Sequence, residues 1–229
     1  MTTNTDVPRP RFARTYLRVA DKADRRGAAA HRDKLLRGLA GTVVELGAGH
    51  GANFRHYPTS VTEVIAIEPE PTLRAAAEAV VPSAPVPVRV LPGVADDLPL
   101  ADESMDAAVV SLVLCSVPDV DRALAELRRV LRRGGELRFY EHVIPTRQPK
   151  RTLVQLVDHS GLWPRIAGGC HPARDTTAAI SRGGFEIETC ERLMFAVSRF
   201  EPSLPYILGT ARLAGPADAS PPAAASPVA

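Results

Sequence analysis

Thr42-Val-Val-Glu-Leu-Gly-Ala-Gly-His-Gly51 opens the stretch from which the fold can be read, and Val61-Thr-Glu-Val-Ile-Ala-Ile-Glu68 closes it. Thr42–Leu46 is β-branched and apolar, which predicts a strand. Glycines follow at 47, 49 and 51, where a turn needs freedom from Cβ. A polar and aromatic segment leads to a second apolar run, Val61–Ile67, which ends in an acid, Glu68. A strand entering a glycine turn, with a carboxylate closing the next strand about 20 residues on, is the layout of a nucleotide-type crevice at the carboxyl edge of a parallel sheet.

The remaining segments extend that sheet. Pro71 suits a first helical position, with a helix over Thr72–Val80. Val86–Leu91 predicts a third strand, which Pro87 assigns to a sheet edge. Met105–Leu114 is almost continuously apolar, as in a strand buried on both faces. Asp119 caps a helix on which Val120, Leu124, Leu127 and Leu131 share one face; Gly134-Gly135 stops it, and Glu136–His142 is a fifth strand. Short turns between β-α units predict a doubly wound, Rossmann-like, mostly parallel α/β sheet with helices on both faces. Phe12–Leu39 reads as helical, broken at Gly27. Lys150–His159 and Asp175–Arg182 read as later helices, and Phe185–Arg192 and Tyr206–Leu213 as strands.

The expected organisation is a flexible N-terminus over 1–11, one domain over 12–213 and a disordered Ala/Pro/Ser tail over 214–229. Within the domain, 12–40 forms N-terminal helices and 144–183 a substrate-side insertion. At 229 residues and 45% hydrophobic, the chain can bury a sizeable core. A net charge of +2 gives no field suited to nucleic acid. No run approaches the roughly 20 apolar residues of a membrane span, and the start carries no apolar signal core. The three cysteines, Cys115, Cys170 and Cys190, match no metal spacing, so the expectation is no metal and a reducing, cytoplasmic location. Oligomeric state is open between monomer and homodimer.

The glycine spacing selects the ligand. A dinucleotide fingerprint is G-x-G-x-x-G; here the third glycine comes one residue early, and an acid, Glu45, precedes the first. Glu45-Leu-Gly-Ala-Gly-His-Gly51 resembles the first motif of class I S-adenosylmethionine (AdoMet) methyltransferases. Gly93-Val-Ala-Asp-Asp-Leu-Pro99 is similar to their third motif, with Val94 in place of the usual acid. Gly51–Pro58, Leu112-Val-Leu-Cys-Ser-Val117, Arg128–Gly135, Tyr140-Glu-His-Val143, Gly169-Cys170 and Pro205–Gly209 resemble the methyltransferase-like seven group, whose animal members methylate alkyl thiols and carry an N-terminal hydrophobic anchor absent here. The similarity runs from about Phe12 to Arg212, with the sheet expected to gain a terminal antiparallel strand pair and so seven strands.

That resemblance implies AdoMet as cofactor and a small-molecule acceptor, a thiol first and a hydroxyl or amine second. It implies cofactor contacts at Glu45, Gly47, Ala48, Gly49, Gly51, Asn53, Glu68, Pro69, Ala95, Asp96, Asp97, Ser111 and Leu112. Glu68 is expected to accept both ribose hydroxyls, and Asp96, ahead of Asp97, to substitute for Val94 at the adenine amino group. His142 is the expected general base, with Glu141 orienting it or binding a cationic acceptor; a structural, hydrogen-bonded histidine is the alternative. Tyr16, Cys115, Trp163, Cys170 and His171 are candidate acceptor walls, with core or loop packing as the alternative reading. An NAD(P) oxidoreductase and a non-catalytic AdoMet-binding protein remain as other classes.

Overall fold

The computed structural model describes residues 6–145, 148–161, 163, 165, 168–197 and 203–214. Two N-terminal helices, α1 (Pro10–Ala23) and α2 (Ala29–Leu36), are joined by a wider turn at Asp24–Ala28, where Gly27 sits at φ 123°. The sheet follows: β1 (Gly41–Leu46), β2 (Val61–Ile67), α3 (Pro71–Val80), β3 (Val88–Leu91), β4 (Met105–Ser111), α4 (Val120–Val130) and β5 (Leu131–His142). The chain continues with α5 (Lys150–His159), α6 (Thr176–Arg182), β6 (Phe185–Phe195) and β7 (Leu204–Leu213).

Seven strands lie in the order β3-β2-β1-β4-β5-β7-β6. The first five are parallel, and β7 runs antiparallel to both β5 and β6. Strand order reverses between β1 and β4, and a ligand crevice forms at that switch point. Alternation along each strand divides the core. Val44, Leu46, Ile65, Val110 and Phe139 pack with Leu124, Leu127 and Ile180 on one face. Val43, Val64, Ala66, Val109 and Tyr140 pack with Leu35, Leu36, Phe54 and Ala77 on the other. Glu70, Asp119 and Asp175 cap α3, α4 and α6 by accepting the N–H three residues on.

Several expected boundaries move. The third strand starts at Val88, after Pro87, and β3 does form a sheet edge. The fourth ends at Ser111, because Leu112 takes φ 62° and turns the chain. Gly134-Gly135 does not stop α4: the helix ends at Val130, and the glycines fall inside β5 at a register shift opposite Met105–Ala107. Of the expected flexible N-terminus, residues 6–11 are tied down: the Val7 N–H donates to the Pro69 carbonyl at 2.9 Å, and α1 already begins at Pro10. The expected tail lies outside the described residues, apart from Ala214.

Candidate active site

The glycine turn after β1 faces the tip of β2. Gly47 sits at φ +65°, and a Cβ there would lie 2.5 Å from the Val113 side chain. Gly49 sits at φ +59°, with the Tyr16 hydroxyl closing the space above it. A side chain at either position would fill the crevice or strain the backbone. Glu68, at the end of β2, accepts the Gly49 N–H at 2.7 Å through Oε2 and the Glu70 N–H at 2.9 Å through Oε1. Burial pushes its carboxyl up to about 7, against the pull of those two N–H donors.

Around this acid, Leu46, Gly47, Gly49, Glu68, Pro69, Ala95, Asp96, Ser111, Leu112, Val113 and Ser116 form a continuous cleft. The N-terminal segment crosses over it. Val7 is held on Pro69, the Arg9 N–H reaches Glu70 Oε1 at 3.3 Å, and the Arg9 guanidinium donates to the Gly168 carbonyl at 2.7 Å. Phe12 and Tyr16 of α1 line the roof, their ring centroids 5.6 Å apart.

The far wall is the turn after β4, which the glutamate before His142 builds. Glu141 is fully buried, and its carboxylate accepts the N–H groups of Val113, Leu114 and Cys115 at 2.9, 2.9 and 3.1 Å. The insertion grips the same turn from outside: the His171 N–H donates to the Cys115 carbonyl at 2.7 Å, and Arg174 donates to the carbonyls of Leu114 and Val117.

The comparisons with known proteins agree with this geometry. The Methyltransferase domain family matches residues 44–139, from β1 through the body of β5. Thiol S-methyltransferase TMT1B of Mus musculus is 35% identical over 183 residues, 78% of this chain and 74% of its own length. Thiol S-methyltransferase TMT1A of Homo sapiens is 31% identical, covering 74% of this chain and 70% of its own. The chain belongs to the class I AdoMet-dependent methyltransferases, close to the thiol S-methyltransferase group. In fold, this methyltransferase resembles a SAM-dependent methyltransferase from Thermotoga maritima at TM-score 0.67 and 23% identity, over 89% of this chain and 97% of that one. Geranyl diphosphate methyltransferase aligns at TM-score 0.59 and 16% identity, over 82% and 85% of the two chains. No helix among the described residues is long and apolar enough to cross a membrane.

The cleft suits AdoMet, the methyl donor. Each Glu68 oxygen spends one lone pair on the backbone and keeps another for a hydroxyl. Ser111 lines the cleft, and its hydroxyl is buried without a hydrogen-bond partner among the described residues. Leu112 beside it holds a left-handed conformation that costs a branched side chain energy and is concentrated at functional sites.

Other expected site residues stand elsewhere. Ala48, Gly51 and Asp97 do not line the cleft. Glu45 points beneath the turn, where it accepts from Asn53 Nδ2 at 2.8 Å and from the Tyr57 hydroxyl at 2.7 Å. Asn53 in turn accepts from Arg32, itself buried and paired to Asp24. Glu45 and Asn53 thus brace the turn from below rather than forming the cleft surface. Glu141 does not line the cleft, and its two oxygens accept three backbone N–H groups instead. His142 lies off the cleft wall: its Nδ1 is 3.7 Å from Cys170 Sγ, and its ring packs 4.2 Å from that of Tyr206. Cys115 and Cys170 are buried beside the half-buried His142, and none of the three lines the cleft. His171 pairs with Asp158 at 3.2 Å, and neither it nor Trp163 reaches the cleft.

Sequence reasoning passed over Arg9, Glu70 and Asp119, which do line the cleft. The signal for Glu70 was present in its N-cap position before Pro71. Arg9 gave none, because its role depends on a contact with Gly168 across the fold.

The raised pKa of Glu68 predicts a pH dependence. If the ionised form holds the ribose, affinity is complete above about 7 and is lost as pH falls through it. Titration calorimetry is expected to show AdoMet binding about tenfold weaker at pH 6 than at pH 8, one decade per unit below the pKa. A flat profile would remove Glu68 as the ionised partner.

Proposed function

We propose that this methyltransferase moves the AdoMet methyl group onto a small-molecule thiol by in-line displacement. The observation that carries this reading is the chemistry of the cleft wall. Among the described residues its ionisable groups are Arg9, Tyr16, Glu68, Glu70, Asp96 and Asp119, with no histidine, lysine or cysteine. Such a wall suits an acceptor that supplies its own nucleophile. A thiol ionises near pH 8.5, is partly thiolate at neutral pH and is strongly nucleophilic in that form. Alcohols and ammonium groups need a base to reach the same state. The relatives named thiol S-methyltransferases support the same choice.

AdoMet, when bound, supplies a methyl group already activated on a sulfonium. The chain positions and encloses the reactants. Glu68 accepts the two ribose hydroxyls, and Asp96 takes the adenine amino group with Ala95 beside the ring. The turn at Ser111–Val113 sits under the transferring methyl, while Phe12 and Tyr16 keep water out.

Two results check this assignment. With labelled AdoMet, turnover is expected on alkyl thiols and not on phenols or amines, with kcat/KM rising as pH climbs toward the thiol pKa. Turnover confined to phenols or amines rejects the thiol reading. Asp96→Ala should weaken AdoMet about tenfold, the low end for a hydrogen bond to a charged group, because Asp96 is half-buried. Asp97→Ala should leave affinity unchanged, since Asp97 is exposed and off the wall. The reverse order would reassign the adenine contact.

A further inference from the structure

Cys115, His142 and Cys170 are far apart in the chain, yet the fold brings their ligand atoms within 4.8 Å of one another. Cys115 follows β4, His142 ends β5 and Cys170 comes from the insertion. The two thiols are buried, and His142 is half-buried. The catalytic reading uses none of the three. Hydrophobic packing accounts poorly for the arrangement, because it aims two sulfurs and an imidazole nitrogen at one point.

We propose that these three side chains form a binding site for a zinc-type ion, with two thiolates and Nδ1 of His142 as ligands. The spacing fits: bonds of 2.3 Å to sulfur and 2.0–2.1 Å to nitrogen put tetrahedral ligand atoms roughly 3.5–3.8 Å apart. Cys170 Sγ and His142 Nδ1 already stand at 3.7 Å. The donor set is soft enough to select zinc over magnesium or calcium, and a Cys2His set leaves zinc a fourth position for water or another ligand. Binding displaces the thiol protons to solvent, so uptake is favoured by rising pH. The ion would tie the ends of two central strands to the insertion, directly behind the wall where Ser116 and Gly168 face the cleft. The proposal goes beyond the thiol reading and does not depend on it.

The test uses the full, untagged, reduced chain produced with added zinc and measured by elemental analysis. Close to one zinc per chain is expected. Cobalt added to zinc-stripped protein should give the intense visible bands of a tetrahedral ion and a sulfur charge-transfer band in the near ultraviolet. Cys115→Ser, Cys170→Ser and His142→Gln should each weaken zinc by more than the roughly 10–100-fold that losing an outer partner costs. Retained AdoMet binding by calorimetry certifies that each variant is folded; if one serine variant does not fold, His142→Gln and the other carry the comparison. Zinc content in the wild type no higher than in the Cys115→Ser/Cys170→Ser variant overturns the proposal. So does reduced protein that takes up no cobalt and merely closes a Cys115–Cys170 disulfide in air.

Discussion

Glu68→Gln is expected to lower AdoMet affinity about 100-fold while leaving the chain folded. The substitution preserves shape but changes what the group can accept. In the wild type both carboxylate oxygens take a backbone N–H, from Gly49 and Glu70. A glutamine must therefore turn its NH2 toward one of those donors. It also converts charge-assisted hydrogen bonds to the ribose into neutral ones, each weaker by about 1 kcal/mol. Together with the lost attraction for a cationic ligand, the change reaches nearly 3 kcal/mol, two decades in affinity. The variant should also lose the rise in affinity between pH 6 and pH 8, because the titrating group is gone. Calorimetry at both pH values checks both effects. Glu68→Ala is the poorer test, since it frees the Gly49 and Glu70 N–H groups and loosens the turn along with the ligand contact. Wild-type affinity in Glu68→Gln would mean that the sugar is held elsewhere.

Local patterns carried the sheet. The glycine turn, the acid after β2 and the near-continuous apolar run of β4 each report a property that neighbouring residues share, so the doubly wound order followed from spacing. The cleft lining was legible where a residue lies at or just past the end of its own strand, as at Glu68, Ser111 and Leu112. It was illegible where a side chain serves a distant backbone. Nothing near Glu45 in sequence reveals Arg32, which reaches the same network from α2 through Asn53. Glu141-His142 invited a catalytic pairing because the two adjoin, yet strand alternation sends them to different environments. Sequence spacing could not show the cluster of Cys115, His142 and Cys170 for the same reason: the three converge only when β4, β5 and the insertion assemble. Arg9 lay in a stretch whose polar, proline-containing composition reads as flexible, and only the contacts with Glu70 and Gly168 show it strapped over the cleft.

Glu141→Ala should then be among the most destabilising single changes available to this fold, with about 4 kcal/mol lost. Three successive N–H groups converge on one buried carboxylate, a nest whose donors have no other partner among the described residues. Each buried N–H left unmet costs about 1–3 kcal/mol, and the turn recovers part of that by relaxing toward water. For a chain of this size, the loss lowers the melting temperature by about 10 °C. Glu141→Gln separates the two roles that the sequence allows. Its carbonyl oxygen can keep the Val113 and Leu114 N–H groups while its NH2 opposes that of Cys115, so less than half of the destabilisation is expected. AdoMet affinity should fall with stability in both variants, because Val113 and Ser116 form the cleft wall that the nest shapes. A glutamate that acts chemically would behave differently: Glu141→Gln would melt like wild type, bind AdoMet normally and lose turnover alone. Thermal unfolding, AdoMet calorimetry and single-turnover rates on the same two variants distinguish these outcomes, and normal melting of Glu141→Ala would show that the three N–H groups do not need the carboxylate.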